Sequence, residues 1–166
     1  MPHQKYVIII YEKPDNSLFC QNWYVLFFSI MILRVEHIGI AVADEQAARE
    51  IFDRLLGKSP YKTEDVTSEA VRTIFYDINL SKLELLKDTK PEGGTISKFV
   101  EKRGTGMHHI ALEVDDIYEE IERLKADGFA FVNDVPKEGA DNKLICFLHP
   151  KSTNGVLVEL CQERVP

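Results

Sequence analysis

The sequence contains an internal repeat, and no other feature limits the possible folds of the chain as strongly. The segment VEHIGIAVADEQAAREIFDRLLG, residues 35–57, aligns with MHHIALEVDDIYEEIERLKADG, residues 107–128. His37 matches His109, and an aspartate follows each histidine at the same spacing. Two similar units in one chain predict that both form the same supersecondary structure and that they pack against each other.

Each unit has the pattern of a strand, a helix and three further strands. Ile38, Ile40 and Val42 alternate with small residues, which is the period of a half-buried strand. Asp44 and Asp116 are suited to begin the helices, because an aspartate side chain accepts hydrogen bonds from the free N–H groups at a helix start. Apolar runs follow each helix and predict the remaining strands. The local signals therefore predict an α+β chain built from two units of the order βαβββ.

The repeat also defines the domain limits. We expect one functional domain over residues 32–166, with module one at 32–89, a linker at 90–106 and module two at 107–163. Residues 1–31 differ in composition, because they carry four of the chain's 47 charged side chains but seven of its 16 aromatic ones. They are predicted to form an N-terminal extension outside the functional domain. An ordered strand and an interfacial anchor are the alternatives for this extension.

Composition excludes several classes of function. A net charge of −7 argues against a nucleic-acid partner, because such proteins present a basic surface. The longest apolar run, residues 23–33, is too short for a membrane span of about 20 residues, so no membrane partner is expected. The three cysteines form neither a disulfide pattern nor a metal-binding spacing, which favours a reducing compartment and a cytoplasmic location.

Strand alternation predicts that four polar residues share one face of the sheet. The apolar residues around His37 and His109 would face the helices, so both histidines would face away from them. Glu84 in LELL and Glu159 in LVEL have the same parity and close their units at matching points. A glutamate within an apolar strand is costly unless it is paired or binds a metal. Two imidazoles and two carboxylates suit a divalent ion such as Co, Ni, Mn, Fe or Zn. The alternative is that both glutamates lie on a solvated outer face.

The motifs that carry this pattern resemble a known superfamily. The segments HIGIAV, HHIALEV and a late VEL are similar to the vicinal oxygen chelate superfamily, also called the glyoxalase/bleomycin resistance/dioxygenase superfamily. Within it, GMHHIALEVDDI, SKLELL and FLHPKSTNGVLVEL resemble the methylmalonyl-CoA epimerase family over residues 33–162. The resemblance implies two paired βαβββ modules that form cupped mixed sheets around one metal site. It further implies an acyl-CoA substrate, a homodimer and one divalent ion, with Co expected first, bound by His37, Glu84, His109 and Glu159.

The resemblance also implies a reaction, the interconversion of the (R) and (S) epimers of methylmalonyl-CoA. A proton is removed to give a metal-stabilised enolate and is then returned. Glu159 is the first candidate for proton transfer, and Glu113, on the same face as the histidines, is the second. The family's additional cleft glutamate aligns with Thr73 in EAVRTIFY, which leaves one base open and makes Thr73 a candidate substrate contact. Lys151 in HPKSTNG could bind a CoA phosphate, or could simply be solvated.

Two other functions fit the same ligand set. A glyoxalase I-type lactoylglutathione lyase also uses two histidines and two glutamates, but usually carries a DPDGY type of turn where this chain has HPKSTNG. A non-enzymatic ligand-binding protein of the same fold is the second alternative. An extradiol dioxygenase would need two histidines and only one carboxylate. The motifs favour the epimerase and leave open whether ethylmalonyl-CoA is a substrate as well.

Overall fold

The computed structural model describes most of the chain as strands and helices. The described residues are 6–12, 23–29, 31–90 and 93–164, of which the first two ranges are described by their backbone alone. In these two ranges β1 (Tyr6–Glu12) and β2 (Trp23–Ser29) pair antiparallel as a two-stranded sheet. This sheet is separate from the main sheet of the protein. That residues 1–31 lie outside the functional domain stays a prediction.

Module one has the predicted βαβββ order. Its elements are β3 (Ile32–Ala41), α1 (Glu45–Leu56), β4 (Lys62–Val66), β5 (Val71–Asp77) and β6 (Lys82–Asp88). Helix α1 begins where predicted, because the Asp44 side chain accepts a hydrogen bond of 3.1 Å from the backbone N–H of Ala47. It ends at Gly57, whose φ of 66° lies in the left-handed region that favours glycine.

The linker and module two follow the same logic. They contain α2 (Thr95–Arg103), β7 (Gly106–Val114), α3 (Ile117–Ala126), β8 (Phe131–Glu138), β9 (Lys143–Leu148) and β10 (Val158–Glu163). Asp116 caps α3 by accepting hydrogen bonds from the backbone N–H groups of Tyr118 and Glu119. Apart from α2 in the linker, the second module repeats the order of the first.

The eight strands of the modules form one mixed sheet in the order β4-β5-β6-β3-β7-β10-β9-β8. Within the modules β3 is parallel to β6 and β7 is parallel to β10, while β3 and β7 pair antiparallel at the centre. The sheet curls strongly, because residues from its two ends meet. Lys137 on the outer strand β8 forms an ion pair with Glu69, which follows the opposite outer strand β4. The predicted α+β fold with two paired βαβββ modules is confirmed, with the two module sheets joined edge to edge.

The helices α1 and α3 cover the convex face of the sheet. One apolar cluster beneath α1 contains Val42, Ala48, Ile74, Tyr76 and Leu85. A second cluster beneath α3 contains Val114, Ile117, Ile121, Leu124, Cys146, Leu148 and Leu160. Full burial of a large apolar side chain contributes about 1.5–3 kcal/mol, so these clusters hold each helix to its module. The concave face is therefore left for the polar residues.

In the described part of the chain, no helix has the length and hydropathy to span a membrane.

Candidate metal centre

The four predicted ligands all lie on the four central strands of the sheet. His37 is on β3, Glu84 on β6, His109 on β7 and Glu159 on β10. Gly39 of β3 is the register partner of both Glu84 and His109, which places these side chains on adjacent strands at one level. Each of the four ligand residues is 4–5% exposed. The structure thus buries all four residues that strand parity assigned to one face.

Three of the four side chains converge on one point. Nε2 of His37 lies 2.9 Å from Nε2 of His109. Oε2 of Glu159 lies 3.3 Å from Nε2 of His109 and 3.9 Å from Nε2 of His37. These three residues offer donor atoms that all lie within 4.8 Å of one another, close enough for one metal ion to bind all three.

Glu84 contacts the other side of the His37 ring. Its Oε1 lies 3.5 Å from Nδ1 of His37, the nitrogen opposite the one that faces His109. Oε2 of Glu36 lies closer to the same nitrogen, at 2.7 Å. Glu36, His37 and Glu84 therefore form a second group of donor atoms within 4.8 Å that shares His37 with the first.

The two predicted carboxylate ligands have the properties of cation-binding groups. Among the described residues, neither Glu84 nor Glu159 accepts a hydrogen bond. Burial raises the pKa of both carboxyls, that of Glu159 to about 7. Buried carboxylates without hydrogen-bond donors are costly, and a bound cation compensates for that cost. The donor set of imidazole nitrogens and carboxylate oxygens therefore fits a divalent ion of intermediate softness.

The two ligand histidines differ in charge. Burial alone would lower the pKa of His37, but the carboxylates of Glu84, Glu159 and Glu36 outweigh burial and raise it to about 9. Burial, together with the positive charge of His37, lowers the pKa of His109 well below its usual value. Without a cation, one imidazole is protonated and the other is neutral.

His109 fits the site because β3 has a glycine beside it. A Cβ atom added to Gly39 would lie 2.3 Å from Cε1 of His109, so any larger residue would displace the ring. On its other sides His109 packs edge-on against Phe147, with ring centroids 5.7 Å apart, and its Nδ1 lies 3.0 Å from Nδ1 of His108. His108 in turn packs against Phe99 of α2.

The ligand cluster lies in the wall of a cavity of about 320 Å³. This volume is in the range of small-molecule sites. Thr73, predicted as a substrate contact, is 2% exposed and lines this cavity. Lys151 does not line it and lies exposed in the turn after β9. Glu113 is also absent from the wall, because its carboxylate pairs with the guanidinium of Arg34. The structure therefore brings Thr73 to the ligand cluster and keeps Glu113 and Lys151 apart from it.

Two glutamates of the cavity wall were not predicted from the sequence. Glu69 opens the motif EAVRTIFY, but strand alignment pointed to Thr73, and only the turn between β4 and β5 brings Glu69 to the wall. Glu36 should lie on the face opposite His37 by strand alternation. A β-bulge changes this, because Val35 pairs with Leu112 and His37 with Ala111, which leaves Glu36 as the additional residue on β3.

Comparison with known proteins agrees with this architecture. The family model of the Glyoxalase/Bleomycin resistance protein/Dioxygenase superfamily matches residues 36–147. An ethylmalonyl-CoA/methylmalonyl-CoA epimerase of Cereibacter sphaeroides is 41% identical over 134 residues, which cover 80% of this chain and 99% of the relative. The mitochondrial methylmalonyl-CoA epimerase of Dictyostelium discoideum is 36% identical over 135 residues, 79% of each chain.

A solved structure has the same fold. A variant of Streptomyces coelicolor methylmalonyl-CoA epimerase, in complex with 2-nitronate-propionyl-CoA, matches with a TM-score of 0.76 and 33% identity. The match covers 81% of this chain and 96% of that one. The resemblance read from the histidine and glutamate motifs is thereby confirmed. The chain belongs to the glyoxalase/bleomycin resistance protein/dioxygenase superfamily, and its relatives there include methylmalonyl-CoA epimerases.

Proposed function

We propose that the protein is a metal-dependent epimerase that interconverts the (R) and (S) epimers of methylmalonyl-CoA. The observation that carries the proposal is the convergence of Glu159 with His37 and His109 in the wall of a cavity. Relatives of 36% and 41% identity are named as epimerases of this substrate, and one of these names adds ethylmalonyl-CoA. The acyl group of either thioester, with its free carboxylate, is the part of the substrate that belongs in this cavity.

His37, His109 and Glu159 would hold the divalent ion, with Glu84 beside His37. The family resemblance makes cobalt the first ion to test, and the donor set equally admits nickel, manganese, zinc and iron. When bound, the ion supplies Lewis-acid stabilisation of the negative charge that develops on the substrate oxygens. Homodimer formation and a cytoplasmic location remain part of the proposal.

Glu159 is the residue best suited to remove the proton. Burial raises its pKa to about 7 in the metal-free site, and its carboxylate lies in the cavity wall, where it can take up the substrate proton and give it back. In the first step the proton on the carbon between the thioester and the carboxylate moves to Glu159, and the electron pair of the C–H bond enters the enolate. Epimerisation requires that a proton then reaches the opposite face of that carbon from a second group.

We assign the second group to Glu69. This residue lines the cavity, and its charge adds to the effect of burial on the pKa of Glu159, so the two carboxylates lie within electrostatic range. Lys137 donates a hydrogen bond to Glu69 and would have to release it during turnover. Glu113 is less suited, because its carboxylate is held by Arg34 away from the cavity. Lys151 keeps its proposed role as a contact for a CoA phosphate, outside the cavity.

The reaction is tested by proton exchange in deuterated water, followed by NMR with the metal-loaded protein. We expect deuterium at the carbon between the two carbonyl groups of methylmalonyl-CoA, and we would test ethylmalonyl-CoA in parallel. Exchange into only the glutathione hemithioacetal of methylglyoxal would identify a glyoxalase instead. Binding of the thioester without exchange would identify a ligand-binding protein.

The stereochemistry of proton exchange distinguishes the proposed roles of Glu159 and Glu69. Glu159→Gln should reduce turnover by about 10²–10⁴-fold at saturating metal, more than it reduces metal occupancy. Glu69→Gln should abolish epimerisation but still allow solvent deuterium to enter one epimer with retention of configuration. Glu120→Gln is the control, because Glu120 is buried like Glu159 but pairs with Arg123 on α3 and does not line the cavity. Epimerisation by Glu69→Gln at the wild-type rate would remove Glu69 from the mechanism.

A further inference from the structure

Glu36 is a buried carboxylate that connects a ligand histidine to two lysines. It is 1% exposed, and its Oε2 lies 2.7 Å from Nδ1 of His37. Its other oxygen, Oε1, lies 2.7 Å from Nζ of Lys82 and 3.5 Å from Nζ of Lys143. One carboxylate therefore contacts a ligand of the candidate metal centre and a cation from each module.

The surroundings of Glu36 hold it in place. Lys82 begins β6 of module one and also contacts Asp141 at 2.6 Å, while Lys143 begins β9 of module two and also contacts Glu163 at 2.8 Å. Both oxygens of Glu36 therefore face nitrogen atoms, although the close contacts of Oε1 with the two lysines lack the geometry of a hydrogen bond.

We propose that Glu36 is a positioning residue for the metal centre, which holds Nδ1 of His37 and thereby directs Nε2 towards His109 and Glu159. This inference rests on the proposed metal site. A half turn of a histidine ring about its Cβ–Cγ bond changes the position of both ring nitrogens. The nitrogen that does not bind metal normally donates a hydrogen bond to a carboxylate or carbonyl, and that bond prevents the rotation.

The geometry identifies Glu36 as the partner rather than Glu84. Both carboxylates approach Nδ1 of His37, but Glu36 is at 2.7 Å and Glu84 at 3.5 Å. The N–H at Nδ1 can make only one short hydrogen bond, and Glu36 takes it. Glu84 lines the cavity, and its carboxylate stays available on that side.

The test compares metal binding by the wild type, Glu36→Gln and the control Glu120→Gln, with Co²⁺ and Zn²⁺ as the probes. Loss of a partner of this kind typically weakens metal affinity by about 10–100-fold, and we expect that loss for Glu36→Gln together with a changed visible absorption spectrum of bound Co²⁺. The control should bind both ions as the wild type does. Thermal melting of the three metal-free proteins would reveal any general loss of stability. Such a loss lowers the melting temperature but leaves the spectrum of bound Co²⁺ unchanged.

A measurement on the wild type makes the test independent of folding of the variant. In protein labelled with ¹⁵N-histidine and loaded with Zn²⁺, His37 should show a metal-bound Nε2 and a slowly exchanging proton on Nδ1. Metal on Nδ1 of His37, or equal affinity and identical spectra for Glu36→Gln and the wild type, would overturn the role of Glu36 and leave the metal centre intact. Failure of the wild type to bind any divalent ion would overturn the metal centre itself, and the role of Glu36 with it.

Discussion

The two modules place a histidine at the same position of the repeat but give it different neighbours. In module one the preceding residue is Glu36, whose carboxylate contacts Nδ1 of His37 at 2.7 Å. In module two it is His108, whose imidazole contacts Nδ1 of His109 at 3.0 Å. Carboxylates raise the pKa of His37 to about 9, whereas burial and His37 itself lower that of His109. The repeat determines where the ligands lie, and their neighbours determine their charge.

A second difference concerns the space beside each histidine. The residue two positions after His37 is Gly39, and the residue two positions after His109 is Ala111. The ring of His109 fills the space above Gly39, while Ala111 is fully buried in a small apolar cluster with Cys161. The metal centre is therefore asymmetric, because the ligand of module two reaches across to the strand of module one.

The largest effect should come from the adjacent histidines of module two. His109→Ala removes a ligand that lies within 4 Å of the two others, so we expect the purified variant to carry no bound metal. His108→Ala leaves Nε2 of His109 in place and should retain most of the metal. Elemental analysis of the two purified variants checks the prediction, and equal metal content in both would contradict the selection of His109 by strand parity.

The space above Gly39 is tested by a single methyl group. Gly39→Ala would place a Cβ atom against the His109 ring, which must move. A displacement of about 1 Å at a catalytic centre can reduce turnover by about 10²-fold, and we expect an effect of that size with weaker Co²⁺ binding. Gly106→Ala on β7 is the matched control, because an added Cβ atom there meets no atom within 4 Å. Turnover that falls equally in both variants would indicate a general effect on the strands.

The difference in charge between the histidines predicts how metal binding depends on pH. Because the pKa of His37 is raised to about 9, this residue is protonated at pH 7 and must lose its proton to bind metal. Affinity for Zn²⁺ should therefore rise by about tenfold per pH unit between pH 7 and 9 and level off above that range. Protonation of Glu159, with a pKa of about 7, should steepen the dependence below pH 7. Calorimetric titration in several buffers would reveal the released proton, and a flat profile from pH 7 to 9 would contradict the assigned charge.

The smallest effect is expected from removal of the N-terminal extension. A chain that begins at Met31 keeps all eight strands of the main sheet and the carbonyl of Met31, which accepts a hydrogen bond from the backbone N–H of Asp115. We expect unchanged metal content, turnover and melting temperature. A truncated protein that aggregates, or that melts much lower, would show that the extension belongs to the fold.

Much of the fold and part of the site followed from local sequence patterns. The capping aspartates, Asp44 and Asp116, begin their helices as predicted, because a helix cap depends on residues that are close in sequence. Alternation along β7 correctly turned His109 away from the apolar cluster beneath α3, because side-chain direction in a regular strand has a period of two. The same period correctly placed Glu84 and Glu159 on the face of the histidines.

The sequence by itself determined the two modules, their order of strands and helices, and the four residues that line their shared face, since each depends on periodicity within one element. Only the tertiary structure decided which groups meet across elements. The bulge in β3 turned Glu36 towards His37, and the curl of the sheet brought Lys143 of module two beside it. The turn between β4 and β5 placed Glu69 in the cavity wall, and the pairing of β3 with β7 left Glu113 beside Arg34. Bulges and curvature arise from pairing between strands distant in sequence, so no pattern within a single strand predicts them.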